Sequence, residues 1–324
     1  MIPWIINIEL TNACNLECIF CDHKELKKKM QIKGMAHTLL RKVLEDAAAV
    51  SNGGKLHELG LVGLGEPTLD PNLKEHLALI GEYCEIFERI SFNSNLVSLN
   101  SELAQILVDS KINAYTFSVN AHNRERYLEL MGKDYFDRVI KNLNLLLRLL
   151  RQRPDFPSVG IQIFKYAPGD KEGLKALIDE SVRAGVKFFY RSVCYKPAMR
   201  IGRSILNTYK PEKSRRYPCW DIYTRVYIDV DGNLYPCTIG NDSYRSSSNL
   251  YLGNITERSI MELFNSERAC EARRIYEQGG IPFSECKTCN VWALTPNNFF
   301  WNERLKKWEI RKQQVRAYSL KVKT

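Results

Sequence analysis

The chain has 324 residues, of which 44% are apolar and 26% charged, as in an ordinary globular protein with one large domain and a small one. No stretch approaches the roughly 20 apolar residues of a membrane helix, and the start MIPWIINIEL lacks the basic region of a signal peptide, so a cytoplasmic protein is expected. The net charge of +10 comes from residues 196–216 and 302–324, each carrying +6, which argues against the broad basic face of a nucleic-acid-binding protein.

Residues 1–195 alternate between short β-rich runs and amphipathic stretches. The predicted strands are Trp4–Leu10, Leu56–Val62, Arg89–Asn93, Asn113–Val119, Val159–Phe164 and Val186–Val193. The predicted helices are His37–Val50, Ser101–Ser110, Tyr135–Leu150 and Lys171–Ala184. Six βα units predict an α/β fold with a parallel sheet that forms an open, partial (βα)6 barrel, with its chemistry at the carboxyl ends of the strands.

The pattern changes after residue 195. Residues 196–216 are predicted to be a basic connector, and residues 217–296 a small domain with a hairpin at Val226–Tyr235 and a helix at Ser259–Gln278. Residues 297–324 are predicted to form an amphipathic basic helix. Its apolar stripe is Trp301, Leu305, Trp308 and Val315.

Ten cysteines are many for a cytosolic enzyme and few for a secreted disulfide scaffold of this length, so metal ligation is the economical explanation. Cys14, Cys18 and Cys21 follow the first strand with the spacing C-x3-C-x2-C. Three thiolates on one loop can hold three irons of a [4Fe–4S] cluster and leave the fourth iron open. A zinc site would need a fourth ligand, and none is evident although His23 is close.

This motif, with the aromatic Phe20 before its last cysteine, resembles that of the radical S-adenosylmethionine (SAM) superfamily. The resemblance extends over the first 195 residues and implies the partial barrel. It also implies SAM-binding residues at the ends of successive strands. Gly65 and Glu66 resemble the loop that binds the SAM amino group, and Asn93 and Asn95 resemble a polar turn. Ser118 and Asn120 are two residues apart, so both can point inward, where the resemblance implies ribose or carboxylate contacts. Gln162 lies in a stretch that resembles the adenine-binding stretch.

Four further cysteines form a second constellation, consisting of Cys219, Cys237, Cys286 and Cys289. Taken alone, this layout would favour zinc. Beside a radical SAM core it resembles the twitch domain, the short form of the SPASM domain, which implies one auxiliary [4Fe–4S] cluster. With four protein ligands that cluster has no open iron, so it either transfers electrons or holds the domain together.

The family resemblance implies an enzyme that reductively cleaves SAM and abstracts hydrogen from a substrate carbon through a 5′-deoxyadenosyl radical. The single twitch cluster resembles that of the aminocyclitol dehydrogenases of aminoglycoside biosynthesis, which favours dehydrogenation of a polar, carbohydrate-like metabolite. Radical epimerisation and maturation of a ribosomally made peptide remain alternatives. A non-enzymatic iron–sulfur or zinc-binding module is the alternative from a different class.

Two residues of the sixth strand region are candidate catalytic residues. Cys194 could return hydrogen to a substrate radical, as an epimerase requires, whereas alternation along the strand places it on the outer face if Arg191 points inward. The arginines and lysines of the connector, among them Arg200, Arg203 and Arg216, favour an anionic substrate. An electron donor such as flavodoxin or ferredoxin is the other expected partner, and no membrane association is expected.

Overall fold

The computed structural model describes residues 1–21, 23–164, 169–190, 216–238, 248–287, 289 and 298–310. The strands are β1 (Ile5–Ile8), β2 (Leu56–Leu61), β3 (Phe87–Ser94), β4 (Ala114–Asn120), β5 (Ser158–Ile163), β6 (Lys187–Tyr190), β7 (Arg225–Ile228), β8 (Asn233–Tyr235), β9 (Gly253–Asn254), β10 (Phe299–Asn302) and β11 (Lys307–Ile310). Each of the six predicted strands of residues 1–195 is present, because long buried apolar runs are the strongest local signal in a parallel sheet.

Nine strands form one sheet in the order β6-β5-β4-β3-β2-β1-β7-β8-β9. Strands β1 to β6 are parallel, as in the predicted α/β partial barrel, which is confirmed. Strand β7 also pairs with β1 in parallel, and β8 and β9 continue antiparallel. The hairpin predicted for the small domain therefore extends the sheet of the barrel.

The helices are α1 (His23–Leu26), α2 (His37–Ser51), α3 (Leu73–Glu82), α4 (Ser101–Asp109), α5 (Arg124–Met131), α6 (Phe136–Leu150), α7 (Asp170–Ala176), α8 (Glu180–Arg183), α9 (Asp221–Thr224), α10 (Ile260–Phe264) and α11 (Glu267–Glu277). They cover the outer face of the sheet, where alternate strand residues such as Ile8, Leu61, Phe92, Phe117 and Ile161 are fully buried. Among the described residues no helix is long and apolar enough to cross a membrane.

Two predicted helices are each split in two. The stretch predicted as Ser259–Gln278 contains α10 and α11, because Ser266 accepts a hydrogen bond from the amide of Ala269 and starts a new helix. The stretch predicted as Lys171–Ala184 contains α7 and α8, where Asp179 caps the second helix through the amide of Ser181. In both places the boundary is set by a side chain that caps the N-terminus of the second helix.

The prediction of a C-terminal helix is wrong for the residues described. Residues 299–310 form an antiparallel hairpin in which Trp301 and Trp308 are directly opposed. The side-chain oxygen of Asn302 accepts a hydrogen bond from the Leu305 amide and closes the turn. Lys306 completes the turn with a left-handed backbone conformation. Trp301 and Trp308 are seven residues apart, a spacing that suits both two helical turns and a short hairpin. Residues 311–324 lie outside the described residues.

A second core, rich in aromatic residues, is formed by residues between 217 and 299. It contains Tyr217, Tyr223, Tyr276 and Phe299, and the half-buried Trp308 packs against it with its ring 6.2 Å from that of Tyr217. Cys289 is buried in the same core, and Cys219, Cys237 and Cys286 pack against it. The predicted connector lies outside the described residues except for Arg216.

Candidate active site

The loop after β1 holds Cys14, Cys18 and Cys21, all partly exposed. It is anchored on one side by Asn12, whose side-chain oxygen accepts from the Lys33 amide at 2.8 Å. On the other side the amide of Glu17 donates to the carbonyl of Met131 at 3.1 Å. The backbone that carries the three thiols is thus held from both flanks.

The chemistry of these thiols fits a cationic cluster. Burial raises the pKa of Cys14 to about 12, and the nearby Glu66 and Cys21 add to the effect. The thiolate therefore needs a positive partner, which a bound metal cluster supplies. In the described part of the chain no three His, Cys, Asp or Glu side chains converge closely enough to hold one metal ion. Thiolates of a four-iron cluster bind separate irons and need not converge on a point.

The loop after β2 is pressed against the cysteine loop. A Cβ at Gly65 would overlap the carbonyl oxygen of Thr11 and lie 2.8 Å from that of Ala13, so only glycine fits there. The amide of Glu66 donates to the carbonyl of Ala13 at 2.7 Å. The loop predicted to bind the SAM amino group is therefore placed beside the predicted cluster ligands.

The Glu66 carboxylate is occupied by protein donors. It accepts hydrogen bonds from the hydroxyls of Thr68 and Ser94, both at 2.7 Å, and from the amide of Asn95 at 2.7 Å. Burial raises its pKa despite these bonds. The side chain thus shapes the loop that is predicted to contact the SAM amino group. That contact stays a prediction.

The end of β3 reaches the cysteine loop through Asn95. Its side-chain amide donates to the Asn15 side chain at 2.9 Å, and Asn15 donates in turn to the Ser98 hydroxyl at 2.8 Å. Asn93 is half-buried on the face of the sheet opposite the helices. Phe20 is buried with its ring 4.9 Å from that of Phe164 at the end of β5, so it packs the cysteine loop onto the strand ends.

Strand β4 is irregular between Ser118 and Asn120. The pairing register of β4 with β5 shifts between these two residues, and Asn120 adopts a left-handed φ of 67°. Ser118 is half-buried and accepts from the Gln162 side chain at 2.7 Å. Asn120 is fully buried, with its amide 3.5 Å from the Met131 sulfur. The strict alternation on which the expectation for Asn120 rested is interrupted by the bulge.

The structure adds Glu9, which the sequence reasoning missed. One carboxylate oxygen accepts from the amides of Leu64 at 2.7 Å and Gly65 at 3.2 Å, so Glu9 holds the predicted SAM loop. Burial and the neighbouring Asp229 of the β7 end raise its pKa to about 7. An acidic residue directly after a buried strand, in IINIELT, is the signal that could have identified it.

The Glu9→Gln variant is expected to change the pH dependence of stability. The folded-state pKa of about 7 exceeds the ordinary 4.5, so the folded protein binds the proton more tightly, and stability falls as pH rises through this window. Glutamine keeps an oxygen acceptor and removes the titration, so the variant gains up to about 3 kcal/mol relative to the wild type between pH 5 and 8.

The measurement is anaerobic denaturant unfolding of both proteins across that pH range, with the exposed Glu45→Gln as the matched control. Tyr227 on β7 and Asp229 just beyond its end face Glu9 and are unchanged in all three proteins. A constant difference between Glu9→Gln and wild type at every pH would contradict the expectation.

The second constellation is brought together in space. Cys219 precedes α9, Cys237 follows β8, and Cys286 and Cys289 lie in the loop after α11, yet all four line one cavity. Burial raises the pKa of Cys219 and Cys286, so these thiolates also need a cationic partner. The donor set suits the four-cysteine auxiliary cluster expected from the spacing.

Arg216 belongs to this second cavity. Its guanidinium donates to the carbonyl of Cys286 at 2.5 Å and lies 5.8 Å from the ring of Tyr276. Arg216 therefore supports the auxiliary site, and its part in attracting an anionic substrate stays a prediction. Arg191, Cys194, Arg200 and Arg203 lie outside the described residues.

Comparisons with known proteins agree with this geometry. The sequence matches the model of the radical SAM superfamily over residues 8–160 and that of an iron–sulfur cluster-binding domain, SPASM, over residues 219–290. An uncharacterised protein of Methanocaldococcus jannaschii is 32% identical over 145 residues, 44% of each chain. GTP 3′,8-cyclase of Chlorobaculum tepidum is 26% identical over 142 residues, 44% of this chain and 40% of that protein. The chain thus matches less than half the length of these relatives.

Solved structures share the fold over most of the chain. BtrN in complex with AdoMet and 2-DOIA has a TM-score of 0.57 at 18% identity, covering 90% of this chain and 94% of that one. Streptococcus suis SuiB bound to precursor peptide SuiA has the same TM-score at 17% identity, covering 90% and 70%. The chain therefore belongs to the radical SAM superfamily, with SAM and a [4Fe–4S] cluster as cofactors and a C-terminal SPASM-type domain that binds auxiliary iron–sulfur.

Proposed function

We propose that this enzyme dehydrogenates a polar, carbohydrate-like metabolite in a redox-neutral reaction. The observation that carries the proposal is the convergence of Cys219, Cys237, Cys286 and Cys289 on one cavity. Four protein thiolates leave a four-iron cluster no open position for a substrate, which favours a role in electron transfer. When bound, the two clusters would supply the one-electron steps, SAM cleavage at the first and electron acceptance at the second.

The inner face of the sheet supports a polar substrate. The face opposite the helices carries Glu58, Arg89, Thr116, Ser118 and Gln162, all only partly buried. Glu58 accepts from the Ser91 hydroxyl and lies 3.5 Å from the Arg89 guanidinium, so charged and neutral donors and acceptors line the surface together. Hydroxyl-rich or charged substrates can replace the water that these groups would otherwise bind.

The overall reaction balances without an external oxidant. One substrate C–H hydrogen atom passes to the 5′-deoxyadenosyl group, the adjacent O–H or N–H loses a proton, and the remaining electron leaves the substrate. The product is a carbonyl or imine, and the electron replaces the one used to cleave SAM. One SAM is consumed for each product formed.

The test is anaerobic turnover of the reconstituted enzyme with SAM, dithionite and a panel of aminocyclitols and free and phosphorylated sugars. A product lighter by two hydrogen atoms, with deuterium moved from a labelled substrate carbon to 5′-deoxyadenosine, is the expected result. A product of unchanged composition that gains deuterium from D2O would establish epimerisation instead. In that outcome Cys194→Ala should stop product formation while SAM cleavage continues, because the substrate radical would have lost its hydrogen donor. The deuterium would come from D2O because the hydrogen of a thiol exchanges with solvent.

Peptide maturation is tested in the same assay. SuiB shares the fold and was solved with a precursor peptide, so peptides belong in the substrate panel. Modification of a peptide with no reaction of any sugar or cyclitol would overturn the proposed substrate class.

A further inference from the structure

The cysteine loop carries an exposed apolar residue at its outer side. Ile19, between Cys18 and Cys21, is 37% exposed although its neighbour Phe20 is buried. Its amide donates to the carbonyl of Leu130 at 3.0 Å, so its position is fixed by the fold. A large apolar side chain held at the surface beside cluster ligands offers a contact point close to the site where an electron must enter.

A lysine-rich segment directly follows the cysteine loop in sequence. Residues Lys24–Lys33 contain five lysines and one glutamate. Lys24 and Lys28 are 54% and 60% exposed, and Lys29 is exposed as well. Helix α1 begins two residues after Cys21, and the ring of His23 contacts the carbonyl of Asn12 at 2.8 Å, which fixes the lysine-bearing segment to the cysteine loop.

The acidic residues of this surface are already neutralised. The Glu17 carboxylate lies 3.0 Å from Lys24 and 3.1 Å from Lys27. Glu25 pairs with Lys28 at 2.9 Å. Lys133 lies 3.9 Å from Glu17 as well. Without Lys33, which pairs with Asp231, the sequence from Glu17 to Lys29 together with Lys133 has five lysines against the acids Glu17, Asp22 and Glu25, a net charge of +2. The surface is therefore positive, and it includes the apolar Ile19.

We propose that this cluster-loop surface, formed by Ile19, Lys24, Lys27, Lys28, Lys29 and Lys133, docks the protein that delivers the electron. The inference rests on the proposed function in taking the Cys14–Cys21 loop as the point of electron entry. The partner that fits is a small protein with an acidic face around an exposed one-electron group of low potential. Transient electron-transfer complexes have small interfaces in which opposite charges steer association.

The experiment separates docking from chemistry by changing the reductant. SAM cleavage, measured as 5′-deoxyadenosine, is driven either by dithionite or by flavodoxin hydroquinone, with reduced ferredoxin as a second protein donor. The test variant is Lys28→Glu/Lys29→Glu. The control variant is Lys55→Glu/Lys111→Glu, which makes the same charge change on two exposed lysines that precede β2 and β4, at the opposite ends of the strands.

The expected result is a loss of about tenfold or more in the flavodoxin-driven rate of the test variant alone, since steered association depends on local charge. The wild-type rate with flavodoxin should fall as salt rises, and dithionite-driven rates should be equal in all three proteins. Equal loss in both variants, loss with dithionite, or no loss with either protein donor would each overturn the proposal. Failure of the proposed function is distinguishable, because it would appear as wild-type SAM cleavage with dithionite but no dehydrogenated product.

Discussion

Replacing Cys14, Cys18 or Cys21 with alanine is expected to reduce SAM cleavage below detection. Each change removes one of three thiolates that the structure holds on a single anchored loop. The cluster whose open iron would bind SAM is then no longer held. Bound iron should fall from about eight to about four atoms per chain, as two clusters become one. The measurements are 5′-deoxyadenosine formation with dithionite and iron content after anaerobic reconstitution.

Cys84→Ala is the matched control, because this half-buried thiol lies in the turn after α3, away from both constellations. It should retain full SAM cleavage and about eight irons. Substantial SAM cleavage in any of the three loop variants would contradict the assignment of that cysteine as a ligand.

The double variant Cys286→Ala/Cys289→Ala is expected to separate SAM cleavage from substrate turnover. Both residues line the second cavity with Cys219 and Cys237, and no residue of the first loop lines that cavity. The variant should bind about four irons, still cleave SAM with dithionite, and form no dehydrogenated product because the substrate electron has no acceptor.

Cys270→Ala, an exposed thiol on α11 of the same region, is the control and should turn over substrate normally. Full product formation by the double variant would refute the electron-transfer role and leave the auxiliary cluster a structural one. Loss of SAM cleavage together with turnover would instead show that the C-terminal domain is needed for the fold of the barrel, to which β7 joins it.

The relation between β1 and β7 bears on both outcomes. Asn7 and Tyr227 are register partners on these strands, and Glu9 and Asp229 lie just beyond them. Glu9 also holds the amides of Leu64 and Gly65. The Glu9 carboxylate therefore connects the auxiliary domain with the loop that is predicted to bind SAM. A substitution that changes the structure of one domain can alter the other through this contact.

Local sequence signals determined much of this protein. Six β-rich runs predicted the six parallel strands, since the face of each strand that the helices cover has apolar residues at alternate positions. The spacings of Cys14, Cys18 and Cys21 and of Cys286 and Cys289 predicted metal sites, because ligands close in sequence are close in space whatever the rest of the fold does. The glycine at position 65 was also identifiable as part of a loop motif.

Only the tertiary structure decided the remaining features, and each depends on contacts distant in sequence. The bulge between Ser118 and Asn120 arises in the pairing of β4 with β5. The pairing of Trp301 with Trp308 in a hairpin satisfied a spacing that a helix would have satisfied equally well. The hydrogen bonds of Glu9 to a loop 55 residues away, and the addition of β7 to the edge of β1, have no local pattern at all. Backbone pairing and buried polar contacts are satisfied across the whole chain, so they become visible only once the sheet is assembled.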